Sequence, residues 1–217
     1  MKTKTSIILL LLTSFFLFAA CSKSQESFVS FNNSQIEYMG RIGTKDSSAA
    51  EIYWPGSSIK IYFEGTSVKA LLKDENGDNY FNVVIDNDSI HILRPDTVKK
   101  SYMLANNLPE GKHTVEIFKR TEWNKGKTWF YGFDLGNESK IINKPAEKTR
   151  MIEFYGNSIT AGYAIEDFSG DSPDSIFTNN YLTYGALTAR HYNAKYSCIA
   201  KGGIGIMLSW FPLISFS

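Results

Sequence analysis

Ser158 is the residue of this chain best placed to act as a nucleophile. It follows the apolar run 151–155 in the segment Gly156-Asn157-Ser158, where a strand is predicted to turn sharply into a loop. Such a turn can expose a serine hydroxyl above a sheet with its backbone N–H free, so that the serine attacks an ester carbonyl while N–H groups stabilise the oxyanion. By itself the Gly-x-Ser pattern fits a structural turn equally well. It also differs from the G-x-S-x-G elbow of the α/β-hydrolases.

A second glycine-rich turn, residues 201–205, is predicted to lie beside Ser158. Residues 180–193 place apolar side chains at helical spacing, and the strand-like run 195–200 follows them. Strand, helix and strand form a parallel crossover unit, and in open α/β sheets the reactive groups lie in loops at the carboxyl ends of the strands. Both turns fall at that edge. The sequence therefore predicts one site that is built by both turns.

Residues 153–163, around Ser158, resemble the first block of the SGNH (GDSL-type) hydrolases, and Gly203 is similarly placed to the glycine of their second block. The whole chain resembles carbohydrate esterase family 2, whose members set a jelly-roll domain before an SGNH domain and remove acetyl groups from polysaccharides. In the front half this resemblance lies in residues 54–57, 63–67, 108–113 and 118–122. The ordered combination covers about residues 36–212 and is more specific than any single block.

The resemblance implies Ser158 as the catalytic nucleophile and the backbone N–H groups of Ser158 and Gly203 as oxyanion donors. It implies no metal ion and no organic cofactor. Asn157 stands where the name-giving block has Asp, and Gly202 stands where these esterases often have Ser. Both substitutions are small enough to preserve the turn.

The general base is the largest departure from the family, because the third-block Asn and the late catalytic His have no counterpart before Ser217. His191 lies on a predicted helix that runs back from the edge carrying Ser158, so we expect it not to act as the base. A general base typically contributes about 100-fold to 10,000-fold to the rate. Residues 146–217 are also few for a doubly wound sheet with helices on both faces. We therefore expect a C-terminally truncated, impaired esterase.

Residues 28–144 are predicted to form an all-β domain. The predicted strands are 58–64, 68–72, 80–86, 89–93, 113–119 and 128–134. Turn signals separate them, and Asn76-Gly77 is the strongest hairpin signal among these. Short strands without intervening helices favour a jelly-roll β-sandwich. The charged stretch 144–148 then marks a boundary, and we expect residues 146–217 to be an incomplete three-layer α/β domain of the SGNH-hydrolase type.

The first 20 residues predict a lipoprotein signal peptide. Lys2 and Lys4 precede apolar runs that are too short for an ordinary spanning helix. The end, Ala19-Ala20-Cys21, resembles a bacterial lipobox, in which the cysteine thiol is acylated; a plain signal peptide with a chance cysteine is the alternative. Residues 21–27 are polar and suit a tether. We expect an exported protein whose lipid anchor on Cys21 holds it to the bacterial cell envelope, which leaves Cys198 as a buried, unpaired residue.

The charge balance of 23 Lys and Arg against 22 Asp and Glu argues against a nucleic-acid partner. Residues 74–78 superficially resemble a calcium loop, but the glycine is misplaced and the closing glutamate is missing, so a hairpin turn explains them better. A basic aromatic set could grip an acidic glycan or could line a solvated hairpin. Its members are Lys119, Arg120, Trp123, Lys125, Lys127 and Trp129.

Two functions remain open at this point. The first is a serine esterase that removes O-acetyl groups from acetylated polysaccharides or oligosaccharides such as those of xylan or mannan, with truncation impairing it. The second is a non-catalytic glycan-binding or vestigial surface lipoprotein that uses the β domain alone. Finding the missing histidine in the reading frames downstream of Ser217 would separate them.

Overall fold

Two antiparallel sheets build the front half of the protein, which we describe from a computed structural model covering residues 28–136 and 139–205. The first sheet contains β1 (Phe28–Ser30), β3 (Ile42–Gly43), β4 (Ala50–Ile52), β6 (Val68–Asp74), β9 (Lys100–Ala105) and β11 (Thr128–Asp134). The second sheet contains β2 (Glu37–Met39), β5 (Ser58–Glu64), β7 (Phe81–Ile85), β8 (Ser89–Leu93), β10 (Lys112–Lys119) and β12 (Lys140–Ile141). The predicted signal peptide and tether lie outside the described residues.

Alternation along the strands explains why the two sheets pack together. In β5, Ile59, Ile61 and Phe63 are fully buried while the residues between them are partly exposed. Since successive side chains of a strand point to opposite faces, each sheet presents one apolar face. The apolar faces of both sheets meet in one core, and burial of each large side chain contributes about 1.5–3 kcal/mol. The predicted β-sandwich is therefore confirmed.

The prediction of a hairpin at Asn76-Gly77 is wrong, because β6 and β7 belong to different sheets. Asp74 instead accepts hydrogen bonds from the backbone N–H groups of both residues, and the chain crosses between the sheets. The tight hairpin joins β7 to β8 at Asp86 and Asn87, whose φ angles of 52° and 59° fit a type I′ turn. The pattern also missed β9, whose first four residues are largely exposed.

The second unit contains two parallel strands, β13 (Met151–Gly156) and β14 (Lys195–Ala200), with Met151 opposite Lys195 and Gly156 opposite Ala200. Its helices are α1 (Ser158–Ala161) and α2 (Tyr184–His191), and it has 3-10 turns at Ser175–Phe177 and Asn180–Leu182. A further 3-10 turn, Trp123–Lys125, lies in the sandwich between β10 and β11. The helix that the sequence predicts over residues 180–193 begins only at Tyr184, because Thr183 is its N-cap. None of the helices in the described part is long and apolar enough to cross a membrane.

The sandwich and the second unit share a small apolar core. Phe118 of β10 stacks on Tyr196 of β14, with ring centroids 6.4 Å apart, and meets Tyr181 edge-on at 5.0 Å. Arg120, which is 2% exposed, donates to the carbonyls of Ile176 and Thr178. The sandwich therefore covers one side of the unit that carries Ser158.

Candidate active site

Ser158 opens the short helix α1 directly after strand β13 and is partly exposed. Asn157 is the N-cap, and its side-chain oxygen accepts from the N–H of Ile159 at 3.1 Å. Neither the hydroxyl nor the N–H of Ser158 makes a hydrogen bond within the described residues. Asn157 thus performs the capping that an aspartate would perform. The Ser158 groups that would take part in catalysis are not engaged by any other group in the described part of the chain.

The backbone around Ser158 is fixed by close packing and by one buried amide. Gly156 has no room for a side chain, because a Cβ there would collide with Oγ1 of Thr160. The fully buried Asn180 donates to the carbonyls of Thr160 and Ala161 at 3.0 and 3.2 Å, and its own oxygen accepts from the Tyr196 hydroxyl at 3.0 Å. Asn180 therefore supplies donors to carbonyls that the end of α1 leaves without a helical partner, and it ties this helix to β14.

The second-block loop, residues 201–205, leaves the sheet beside Ser158. The N–H of Lys201 donates to the carbonyl of Gly156 at 3.0 Å, so the two turns leave neighbouring strands at the same edge. Gly203 is exposed and has a φ of +77°, in the left-handed region that favours glycine. The structure thus brings Ser158 and Gly203 to adjoining loops, as the strand-helix-strand pattern predicts.

The sandwich also reaches the second-block loop. Glu122 is 6% exposed, and both of its carboxylate oxygens lie 3.1 Å from the position that a Cβ on Gly202 would take. The ammonium of Lys201 lies 4.6 Å from the centre of the Trp123 ring. Burial raises the pKa of Glu122, against the opposing effect of Lys125 and Lys119. Sequence reasoning gave neither Glu122 nor Asn180 a role, and the only signal for Glu122 was its place in a family-like segment.

All three histidines of the sequence lie away from Ser158. His91 is in β8, and His113 in β10 bonds Asp86 and the carbonyl of Pro109, each at 2.7 Å. His191 ends α2, which leads back to the start of β14, while Ser158 follows the far end of β13. A six-residue strand spans about 20 Å. The described residues therefore offer no imidazole within reach of the Ser158 hydroxyl.

The predicted basic aromatic set does not form one surface. Lys119 and Arg120 are buried, Trp123 lies under Lys201, and Trp129 lies between Lys73 and Lys127 on the outer face of the first sheet. Neither an acidic-glycan grip nor a solvated hairpin describes these residues. The separation arises because the chain passes from the second sheet to the first between residues 119 and 128.

Two further residues have structural roles. Asp74, in the supposed calcium loop, is fully buried and accepts from Asn79 at 2.9 Å and from Thr128. No cluster of metal-ligating side chains occurs within residues 28–136 and 139–205. Cys198 is 2% exposed with its pKa raised by burial, which fits the inert apolar role that the sequence predicts. Cys21 lies outside the described residues.

The comparisons with known proteins point to one family. The family model described as "Carbohydrate esterase 2 N-terminal" matches residues 38–145, which cover most of the sandwich. The chain is 34% identical over 183 residues to the cellulase/esterase CelE of Acetivibrio thermocellus, covering 82% of this chain and 22% of that protein. It is 27% identical over 207 residues to an acetylxylan esterase / glucomannan deacetylase of Cellvibrio japonicus, covering 93% of this chain and 58% of that protein.

Solved structures of the same family share the fold. A family two carbohydrate esterase from Cellvibrio japonicus matches with a TM-score of 0.78 and 27% identity, over 84% of this chain and 54% of that one. One from Clostridium thermocellum, in complex with cellohexaose, matches with a TM-score of 0.74 and 33% identity, over 80% of this chain and 53% of that one. The chain thus spans about half the length of these solved relatives. Through its sandwich and the matching unit behind it, the chain belongs to carbohydrate esterase family 2.

Proposed function

We propose that this chain carries the nucleophile of a carbohydrate esterase that removes O-acetyl groups from polysaccharides such as xylan or mannan, without a metal ion or organic cofactor. The observation that carries the proposal is the placement of Ser158 beside the second-block loop of a family 2 fold. Among the described residues, no group forms a hydrogen bond with its hydroxyl or its N–H. The names of the Cellvibrio japonicus relatives, acetylxylan esterase and glucomannan deacetylase, support an acetylated polysaccharide as the substrate.

In the proposed reaction Ser158 Oγ attacks the acetyl carbonyl, and its proton passes to a base. The carbonyl carbon becomes tetrahedral, and the N–H groups of Ser158 and Gly203 donate to the oxyanion. Collapse of this intermediate breaks the bond to the sugar oxygen, which takes a proton and leaves as a hydroxyl group. Water then releases acetate from the serine.

We further propose that the 217 residues by themselves turn over substrate slowly, because none of their histidines lies beside Ser158. Loss of a general base costs about 100-fold to 10,000-fold, or about 3–5 kcal/mol of transition-state stabilisation. The alternative, a glycan-binding lipoprotein that uses the β domain alone, is less well supported. The sandwich buries Phe118 and Arg120 against the second unit.

Hydrolysis of 4-nitrophenyl acetate and of acetylated xylan, with and without added imidazole, tests the proposal. We expect weak hydrolysis that imidazole increases in the wild type and in Ser169→Ala, an exposed-serine control, but not in Ser158→Ala. The rate of the protein-free reaction at the same imidazole concentration is subtracted, because imidazole itself cleaves activated esters. Hydrolysis that survives Ser158→Ala would place the chemistry elsewhere. Hydrolysis that is lost in His191→Ala would show that His191 is the base.

We also propose that the mature protein begins at acylated Cys21, which the Lys2 and Lys4 start and the Ala19-Ala20-Cys21 junction support. Cys21→Ala should leave the precursor unprocessed or release the protein from the membrane fraction. Cys198→Ala is the control and should behave as the wild type in fractionation and in metabolic labelling with a fatty acid. Normal membrane retention and labelling of Cys21→Ala would disprove the anchor.

A further inference from the structure

Glu122 is an unusual residue because one oxygen of its carboxylate is buried and has no hydrogen-bond partner among the described residues. The residue as a whole is 6% exposed, and the unpaired oxygen is Oε1. Burial of a carboxylate is costly unless nearby groups compensate for its lost hydration. A carboxylate in such a place does not stabilise the sandwich, which points to another role.

A rigid frame holds Glu122 in place. The fully buried Lys119 ammonium donates to the backbone carbonyls of Thr121 and Glu122 at 3.1 and 2.9 Å. The Thr121 hydroxyl donates to Asn79 at 2.7 Å. These bonds fix the backbone of the turn but leave the Glu122 carboxylate free to face outward from the sandwich.

The carboxylate faces the second-block loop. A Cβ on Gly202 would lie 3.1 Å from both carboxylate oxygens, which is tighter than ordinary van der Waals contact. The N–H groups of Gly202 and Gly203 donate to no acceptor in the described part of the chain. Among the described residues, the hydrogen bonds of the loop run from Lys201 N–H to Gly156 and from Ile204 N–H to Lys201. The sandwich approaches the loop with Glu122 beside Gly202 and with Trp123 beside Lys201.

We propose that Glu122 is a positioning residue of the esterase, which holds the second-block loop so that the N–H of Gly203 points toward the carbonyl that Ser158 attacks. The role of Gly203 rests on the proposed function. Glu122 does not touch the reacting atoms but acts through Gly202. The sandwich is then part of the catalytic machinery, because it shapes one side of the oxyanion site.

Backbone ¹⁵N relaxation of the full chain tests the contact without any need for activity. In Glu122→Ala, the order parameters of the Gly202 and Gly203 amides should fall from about 0.85 to about 0.6 or less. They should be preserved in the isosteric Glu122→Gln and in Glu110→Ala, which removes an exposed carboxylate. Unchanged order parameters in Glu122→Ala would overturn the proposal.

A double-mutant cycle gives a second, independent measurement of the contact between Glu122 and Gly202. Gly202→Ala places a methyl group against the carboxylate and should shift the loop amide resonances in the wild-type background. In the Glu122→Ala background the same methyl group meets empty space, so the shift should largely disappear. Equal shifts in both backgrounds would show that the two residues do not interact.

The imidazole-supplemented esterase assay then separates this inference from the proposed function. Loss of one oxyanion donor typically costs about 100-fold to 1,000-fold, so a misplaced donor in Glu122→Ala should lower kcat at least about 10-fold with KM nearly unchanged. Glu122→Gln should restore kcat. Undiminished Ser158-dependent hydrolysis in Glu122→Ala would overturn the positioning role alone. If no variant shows Ser158-dependent hydrolysis, the proposed function fails, and the relaxation data decide the loop contact.

Discussion

Arg120 offers the sharpest test of how the two units of this protein depend on each other. Its side chain is 3% exposed, and its guanidinium bonds three groups of the second unit and one of the sandwich. It donates to the carbonyls of Thr178 and Ile176 at 3.2 and 2.8 Å, to the Asn82 side chain at 3.1 Å, and to Glu166. Removal of this side chain leaves buried acceptors without a donor.

The expected cost of Arg120→Ala follows from these contacts. Each buried acceptor that loses its partner costs about 1–3 kcal/mol, and removal of one partner from a buried ion pair costs about 3–5 kcal/mol. Because the Glu166 side chain is 33% exposed and can be hydrated, we expect the lower end, about 3 kcal/mol. Arg41→Ala is the matched control. It also joins the two units, at 3.4 Å to Glu153, but Arg41 is 54% exposed and its loss should cost under about 1 kcal/mol.

Urea unfolding of the three proteins, followed by circular dichroism and by tryptophan fluorescence, measures these free energies. We expect Arg120→Ala to lower the free energy of unfolding. We also expect the second unit to unfold at a lower urea concentration than the sandwich, since it loses its main polar attachment to the sandwich. A cost below about 1 kcal/mol for Arg120→Ala, or equal costs for Arg120→Ala and Arg41→Ala, would refute this reasoning.

Two other measurements follow from the shared core and the buried lysine. Residues 27–144 alone should melt cooperatively, whereas residues 146–217 alone should not. The second unit without Phe118 exposes Tyr181 and Tyr196 to water. A cooperative melt of residues 146–217 would contradict this expectation. Burial lowers the pKa of Lys119 to about 7, so above that pH the unfolded chain binds a proton that the folded chain has lost. The free energy of unfolding should then rise between pH 7 and pH 9, by up to about 1.4 kcal/mol per pH unit. Lys119→Met should lose this rise, and an equal slope in both proteins would show that Lys119 is not its source.

The sequence by itself determined the features that depend on local pattern. The bounds of β5, β8, β11 and β14 are those that side-chain alternation and turn residues predict. The position of Ser158 after a strand, and of residues 201–205 after its parallel neighbour, also follows from local pattern, because the carboxyl ends of parallel strands share one edge. The signal peptide, the lipid anchor and the catalytic role of Ser158 remain predictions.

Only the tertiary structure decided which elements meet. It places β6 and β7 in different sheets although Asn76-Gly77 carries the strongest local hairpin signal, because the common core of the two sheets outweighs the preference of one turn. It also brings Arg120 to Thr178, 58 residues away, and Glu122 to Gly202. A side chain whose partner is distant in the sequence leaves no local pattern from which the contact can be predicted. The residues that join the sandwich to the candidate site are therefore visible only in the folded chain.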